Sequence, residues 1–184
     1  SIQKLTSNDI KKFADGFEIE KHLQEYKRVL KKFNAFIFCS NKQISRIMAW
    51  GESQGYSTTC LVWHKTNSTP FAHGVWRQDI EFCIHIREKG AYFQGNAQIK
   101  KKVTSHPMQI DEYGHPTQKP LKIIEKYLSI GSKVGDIIYD PFSGTGTTLT
   151  GCQVLKRNYI GSELDEKYFK IINKRLAQVQ GSLF

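Results

Sequence analysis

The residues best placed to do chemistry form one stretch, Asp140-Pro141-Phe142-Ser143-Gly144-Thr145-Gly146-Thr147-Thr148. An apolar run, Val134 to Tyr139, precedes it, and Leu149, Cys152 and Leu155 follow at helical spacing. The stretch therefore reads as a strand end, a tight glycine turn and a helix start. Gly144 and Gly146 let the backbone turn sharply and approach a ligand where a Cβ would collide. The helix start offers N–H groups and a partial positive charge to an anionic ligand group. Glu163 stands 17 residues beyond Gly146 (163 − 146), just past the apolar run Tyr159-Ile160-Gly161. An acidic residue at the tip of a second strand is where nucleotide-binding sheets hold ribose hydroxyls. On the glycines alone, an ordinary strand–helix turn accounts for the stretch as well as a ligand cradle does.

A second stretch, His115-Pro116-Thr117-Gln118-Lys119-Pro120, ends 20 residues before the turn (140 − 120). With Asp140 to Thr148 and Gly161-Ser162-Glu163, in that order, it resembles the motif set of the DNA amino-methyltransferases. Those enzymes methylate the exocyclic nitrogen of adenine or cytosine with S-adenosylmethionine. The resemblance implies a Rossmann-like α/β methyltransferase sheet with helices on both faces, duplex DNA as partner, adenine in preference to cytosine, and a setting in DNA methylation and restriction-modification. It also implies roles for particular residues. Asp140 and Phe142 would flank the cofactor, the carboxylate near the methionine ammonium and the ring against the adenosyl side. Ser143, Gly144, Gly146 and Thr147 would bring backbone donors to the methionine carboxylate, with Thr117 and Lys119 closing over it. Glu163 would take the ribose hydroxyls.

One part of the family pattern is missing. The Asp/Asn/Ser-Pro-Pro-aromatic tetrapeptide that holds the amine and stacks on the flipped base occurs nowhere in the chain, and the only Asp-Pro is Asp140-Pro141. By the family's permuted order the tetrapeptide and its strand would fall before Ser1. The resemblance thus predicts a single domain over residues 1–184, incomplete at its start. Residues 1–87 would form the catalytic half, 88–114 a short variable basic segment and 115–184 the cofactor half. A preceding segment or a companion chain would supply the missing strand, and without it a long apolar edge would lie open beside the first strand. No catalytic residue is assigned within the chain. A cofactor- and DNA-binding remnant is the competing reading. A dinucleotide oxidoreductase would need Gly-x-Gly-x-x-Gly, and the last position is Leu149. Methylation at cytosine carbon five would need a Pro-Cys nucleophile, which is absent.

Composition agrees with a nucleic-acid partner. The 184 residues carry a net charge of +10, and 39% are hydrophobic, enough for one domain with a core. Lys100-Lys101-Lys102, beside Tyr92 and Phe93, and Lys65, at the end of Trp63-His64-Lys65, are the candidate phosphate contacts. A solvated basic face is the plain alternative for each. Cys39, Cys60, Cys83 and Cys152 form no C-x-x-C pair and read as buried thiols of a reducing cytoplasm. Cys83 and His85 share a strand face, but two candidate ligands without two more do not make a metal site.

The elements follow from periodicity. Phe17 to Phe33 has a helical apolar stripe. Ala35 to Cys39 and Tyr56 to Trp63 read as strands, separated by a helix from Lys42 to Trp50 that stops near Gly51. Ile80 to Ile86 is a further strand, after a loop from His64 to Asp79. Arg87 to Gly114 is irregular. A helix with Pro120 as its first residue runs to Gly131. The strand Gly135 to Asp140, a helix to Lys156, a strand Tyr159 to Leu164 and a helix capped by Asp165 complete the chain.

Overall fold

Over the described residues, 18–69, 73–109 and 118–181 of a computed structural model, strands and helices alternate. They are α1 (Ile19–Val29), β1 (Asn34–Cys39), α2 (Ile44–Ser53), β2 (Ser57–Lys65), β3 (Ile80–Arg87), β4 (Val103–His106), α3 (Leu121–Gly131), β5 (Ile137–Asp140), α4 (Thr147–Val154), β6 (Asn158–Gly161) and α5 (Glu166–Gly181). One sheet has the order β1-β3-β2-β4, and a second pairs β5 with β6. The strand β3 is antiparallel to both β1 and β2, β4 is parallel to β2, and β5 is parallel to β6.

Side chains on a strand alternate between faces, so β3 feeds two cores. Ile84 and Ile86 pack with Ile19 and Leu23 of α1, Phe33, and Ile47 and Trp50 of α2. Cys83 packs on the other face with Leu61, Trp63, and Ile123 and Tyr127 of α3. A third cluster joins Ile124 and Leu128 of α3 to Cys152 of α4, against Ile138 and Tyr159. Helices thus cover both faces, as the strand–helix alternation predicts.

Several boundaries depart from periodicity. The chain leaves α1 at Leu30, which is extended (φ −83°, ψ 130°). Phe33 lies outside the helix, its N–H donating to the Glu88 carboxylate at 3.0 Å, and is buried against Trp50 and Tyr56. Gly51 does not end α2 but lies inside it, where a Cβ would stand 2.7 Å from Thr58 Cγ2. The glycine is there so that α2 can lie close on β2. Pro120 caps α3 in an extended conformation and Leu121 is the first helical residue. The strand β6 stops at Gly161, leaving Leu164 95% exposed. Val103–His106 pairs with Val62–Lys65, so the segment read as irregular contains a strand.

Among the described residues the two sheets do not pair with each other. Asn34, at the start of β1, donates from Nδ2 to the Gly131 carbonyl at the end of α3 (2.8 Å). Phe38, near the end of β1, lies under the Lys119 ammonium just before α3 begins. β1 therefore runs against α3. The turn after β5 reaches Gln118, so β5 also runs against α3 and is parallel to β1. Between their facing edges lies a cavity of about 450 Å³. Ile37 and Phe38 of β1, Ile138 and Tyr139 of β5, Tyr26 and Leu30 of α1, and Tyr127 and Leu128 of α3 line it. All six residues of β1 remain half-buried beside it. β1, an edge strand among the described residues, thus presents an apolar edge to the cavity.

Candidate functional site

The end of β5 and the start of β6's following loop are zipped together before any ligand is considered. The Ser162 N–H donates to the Asp140 carbonyl (3.1 Å) and the Ser143 N–H to the Ser162 carbonyl (3.0 Å). The Ser143 hydroxyl donates to the Asp140 carbonyl at 2.9 Å. Gly161 admits this packing, since a Cβ there would meet Ser143 Oγ at 2.6 Å and Leu149 Cδ1 at 2.7 Å. Gly144 (φ 54°) and Gly146 (φ 82°) take the left-handed conformation that other residues adopt only under strain. The chain then enters α4 with the Gly146 carbonyl accepting from the Thr150 N–H (2.9 Å).

Two charged side chains govern the turn. The Glu163 carboxylate accepts from the Gly144 N–H and from the Asp165 N–H, each at 2.8 Å. One of the donors expected to meet a ligand carboxylate is thus occupied by the chain's own carboxylate. The second is Arg175 of α5, only 8% exposed. Its guanidinium donates to the Thr145 carbonyl (2.7 Å) and to the hydroxyls of Thr145 (3.1 Å) and Thr147 (3.4 Å). Helical periodicity marks only the apolar face of α5, and nothing local pairs Arg175 with the turn. Asp140 lies beneath, its carboxyl accepting from the Phe142 N–H at 3.1 Å. Burial pushes that carboxyl up; bonds from Thr148 and the Phe142 N–H oppose this, and the nearby Glu163 charge adds to it. Phe142 (57% exposed) and Leu164 offer apolar surface beside the turn. Asp140, Phe142, Ser143, Gly144 and Thr147 all border the cavity between β1 and β5.

The preceding loop is divided. Thr117 lies outside the described residues. The neighbouring Gln118 meets the turn, accepting from the Thr145 hydroxyl at 3.2 Å. Lys119 turns the other way: its ammonium is 2.9 Å from Glu81 Oε2 and lies over the Phe38 ring, 5.3 Å from the centroid. The other oxygen of Glu81 meets the Lys65 ammonium, also at 2.9 Å. Burial would push the Glu81 carboxyl up, but the Lys119 and Lys65 charges and hydrogen bonds outweigh it and hold the group below its usual range.

Lys65 and Lys119 therefore stand together at the end of the strands that also carries the glycine turn. Lys100 does not join them. Its ammonium lies over Phe93 (4.7 Å), whose other neighbours, Arg87 and His85, belong to the opposite end of β3. Lys101 and Lys102 lead into β4 from that side, their carbonyls taking the Lys126 ammonium (2.7 Å) and the Val62 N–H (2.9 Å). Cys83 and His85 do share a face of β3, where His85 stacks on Phe36 at 4.1 Å and bonds Asn34 through Nε2 at 2.9 Å.

With this geometry established, comparison with known proteins places the chain among similar molecules. A family model described as DNA methylase, of the N6 and N4 type, matches residues 4–174. Type II methyltransferase M.HinfI of Haemophilus influenzae is 29% identical over 195 residues, covering 92% of this chain and 54% of that protein. Type II methyltransferase M2.DpnII of Streptococcus pneumoniae is 28% identical over 197 residues, covering 96% of this chain and 73% of the relative. Among solved structures, the M1.HpyAVI–SAM complex superposes with a TM-score of 0.77 at 32% identity, covering 89% of this chain and 84% of that one. The chain thus spans about half the length of M.HinfI and nearly three quarters of M2.DpnII.

Proposed function

Because the chain belongs to the DNA methylase family, whose model spans residues 4–174, we propose that it binds S-adenosylmethionine at the Asp140–Thr148 turn and serves methyl transfer to an exocyclic amine of duplex DNA. The observation that carries the reading is the turn itself. A left-handed glycine pair at the head of α4 opens on the cavity and already holds a carboxylate. The M1.HpyAVI structure, similar over 89% of this chain, is a complex with the same cofactor.

The cofactor, when bound, supplies an activated methyl group. The chain's own residues hold it. The Gly144 and Thr147 N–H groups donate to its carboxylate, Glu163 turns to the ribose hydroxyls, and Phe142 and Leu164 cover apolar surface. The amine to be methylated lies inside the base stack of a duplex, so the base must leave the stack to reach the methyl group. In this family the amine is held by the Pro-Pro-aromatic tetrapeptide. We place that tetrapeptide on one further strand between β1 and β5, from a preceding segment or a companion chain, where both neighbouring edges run parallel.

Titration calorimetry with S-adenosylhomocysteine, the demethylated product, tests the cofactor reading. One site per chain is expected, and no binding by the folded protein overturns it. The target base is tested by transferring labelled methyl groups to DNA with the protein completed by its upstream coding segment, then digesting to nucleosides. Label in N6-methyldeoxyadenosine is expected; label in N4-methyldeoxycytidine would reassign the target.

A further inference from the structure

We propose that Arg87, Lys100 and Lys133, carried on the rings of Phe93 and Tyr92, form a surface for the phosphate backbone of duplex DNA at the end of the sheet opposite the glycine turn. This surface involves neither the turn nor the gap between β1 and β5, so it stands apart from the cofactor reading. Three separate parts of the chain supply the cations. Arg87 ends β3, Lys100 lies in the segment before β4, and Lys133 stands between α3 and β5. The Arg87 guanidinium and the Lys100 ammonium lie 4.6 and 4.7 Å from the Phe93 centroid, and the Lys133 ammonium 5.5 Å from that of Tyr92. Both rings are firmly placed. Asn34 Nδ2 donates to the Tyr92 carbonyl (2.8 Å), the Gln94 N–H donates to the Ile130 carbonyl (3.0 Å), and Phe93 stacks on the buried His85 (5.5 Å).

Charge decides what these cations can bind. Among the described residues no ion pair joins any of the three to a carboxylate. Glu88, next to Arg87, is taken by the Lys32 ammonium (2.7 Å) and the Phe33 N–H (3.0 Å). Asp136 accepts from the main-chain N–H of Lys133 (2.8 Å), not from its ammonium. A ring face attracts a cation without neutralising it and leaves its N–H donors unspent. Arg87 and Lys100 share one ring, so two like charges stand within about 10 Å of each other, and an anion that meets both relieves their repulsion. Cations from three elements, side by side on consecutive rings, suit a chain of phosphates better than one small anion. For a member of the DNA methylase family the polyanion at hand is DNA. At roughly 3.3 Å per residue, the eight residues of β3 hold this surface about 25 Å from the end that carries the turn. It therefore grips DNA away from the base to be methylated, by contacts that position a duplex and read no sequence.

The test uses the variants R87Q, K100Q and K133Q, with K21Q as a control that removes a charge from the exposed Lys21–Glu18 pair. Each is checked for folding by thermal melting. Duplex DNA affinity is followed by fluorescence anisotropy across potassium chloride concentrations, and S-adenosylhomocysteine affinity by calorimetry. R87Q, K100Q and K133Q should each flatten the salt dependence by a slope of about 0.9, the signature of one lost phosphate contact, and K21Q should not. F93L keeps every charge and removes the support of two, so it should weaken duplex binding several-fold at unchanged slope, while F93Y should match the parent. None should alter S-adenosylhomocysteine affinity. In the parent, saturating duplex should slow hydrogen exchange in residues 91–100. If the three variants keep the parent's slope, or if exchange there is unchanged, the cations are only a solvated basic face. If a polyglutamate peptide of equal charge competes as well as unlabelled duplex, the surface takes an acidic protein and the assignment to DNA is wrong. A parent that binds duplex but no S-adenosylhomocysteine would sink the cofactor reading and leave this surface standing. The reverse would sink this surface alone.

Discussion

Glu163 occupies two positions at once in the logic of the site. Its carboxylate caps the Gly144 and Asp165 N–H groups, and we propose the same carboxylate for the ribose hydroxyls. Glu163→Ala should weaken S-adenosylhomocysteine binding by about 1.5–3 kcal/mol, the worth of a charge-assisted contact. Calorimetry that finds the affinity unchanged would remove Glu163 from the ribose. Arg175 acts from beneath. Its bonds to Thr145 and Thr147 hold the turn from the side away from solvent, and Gly146 packs directly on Ile172, where a Cβ would stand 3.0 Å away. Arg175→Met keeps the length of the side chain and removes the donors. Urea unfolding should register a loss of about 1.5–3 kcal/mol, because the Thr145 carbonyl is left buried without this partner. A midpoint equal to that of the parent would show that the turn does not depend on α5.

At the level of elements, α3 is joined to β1 and β3 by a column of rings. Tyr127 stacks on Phe36 (4.8 Å), Phe36 on His85 (4.1 Å), and His85 on Phe93 (5.5 Å). Burial, with the Arg87 charge adding to it, lowers the pKa of the His85 ring to about 4 from 6.5. Between those two values the unfolded chain binds a proton that the folded chain refuses. Stability is therefore full above pH 6.5 and is lost as pH falls toward 4. The slope from this group is about 1.4 kcal/mol per pH unit inside the window. Unfolding measured from pH 4.5 to 7 should show it in the parent and not in His85→Gln. Equal slopes in the two proteins would mean that the ring titrates normally. This column also explains the segment after β3. Phe93 carries Lys100 to the far end of the strands, which separates the triple-lysine run from the glycine turn.

For the molecule as a whole, the proposed activity turns on the gap between β1 and β5. The turn proposed for the cofactor lies within residues 140–148 and is braced by α5, so product binding is expected of this chain by itself. Methyl transfer also needs groups that polarise the amine and stack the base, and the chain has no Pro-Pro-aromatic tetrapeptide to provide them. Positioning and electrostatic stabilisation of this kind are worth many kcal/mol. The 184-residue protein alone should bind S-adenosylhomocysteine and transfer no detectable labelled methyl group to duplex DNA. Turnover by the chain alone would show that the amine is held by residues already present.

The sequence by itself determined the features whose requirements are local. A left-handed turn needs glycines at fixed positions, so Gly144 and Gly146 marked the turn, and strand period and helix stripe marked most elements. The motif order led to the expectation of one further strand, which we propose for the cavity faced by β1, an edge strand among the described residues. What depended on sheet order could be settled only by the tertiary structure. Arg175 reaches Thr145 across 30 residues. Lys65, Glu81 and Lys119 come from three elements that meet only because β2 and β3 pair and α3 begins beside them. Gly51 reads locally as a helix stop, and only the approach of Thr58 shows that it is a contact. Val103–His106 is a strand because the β2 edge accepts it, not because four mostly polar residues favour one. A charge or a short polar segment carries no local record of its partner. The pairing free energy appears only when distant parts of the chain are brought within bonding distance.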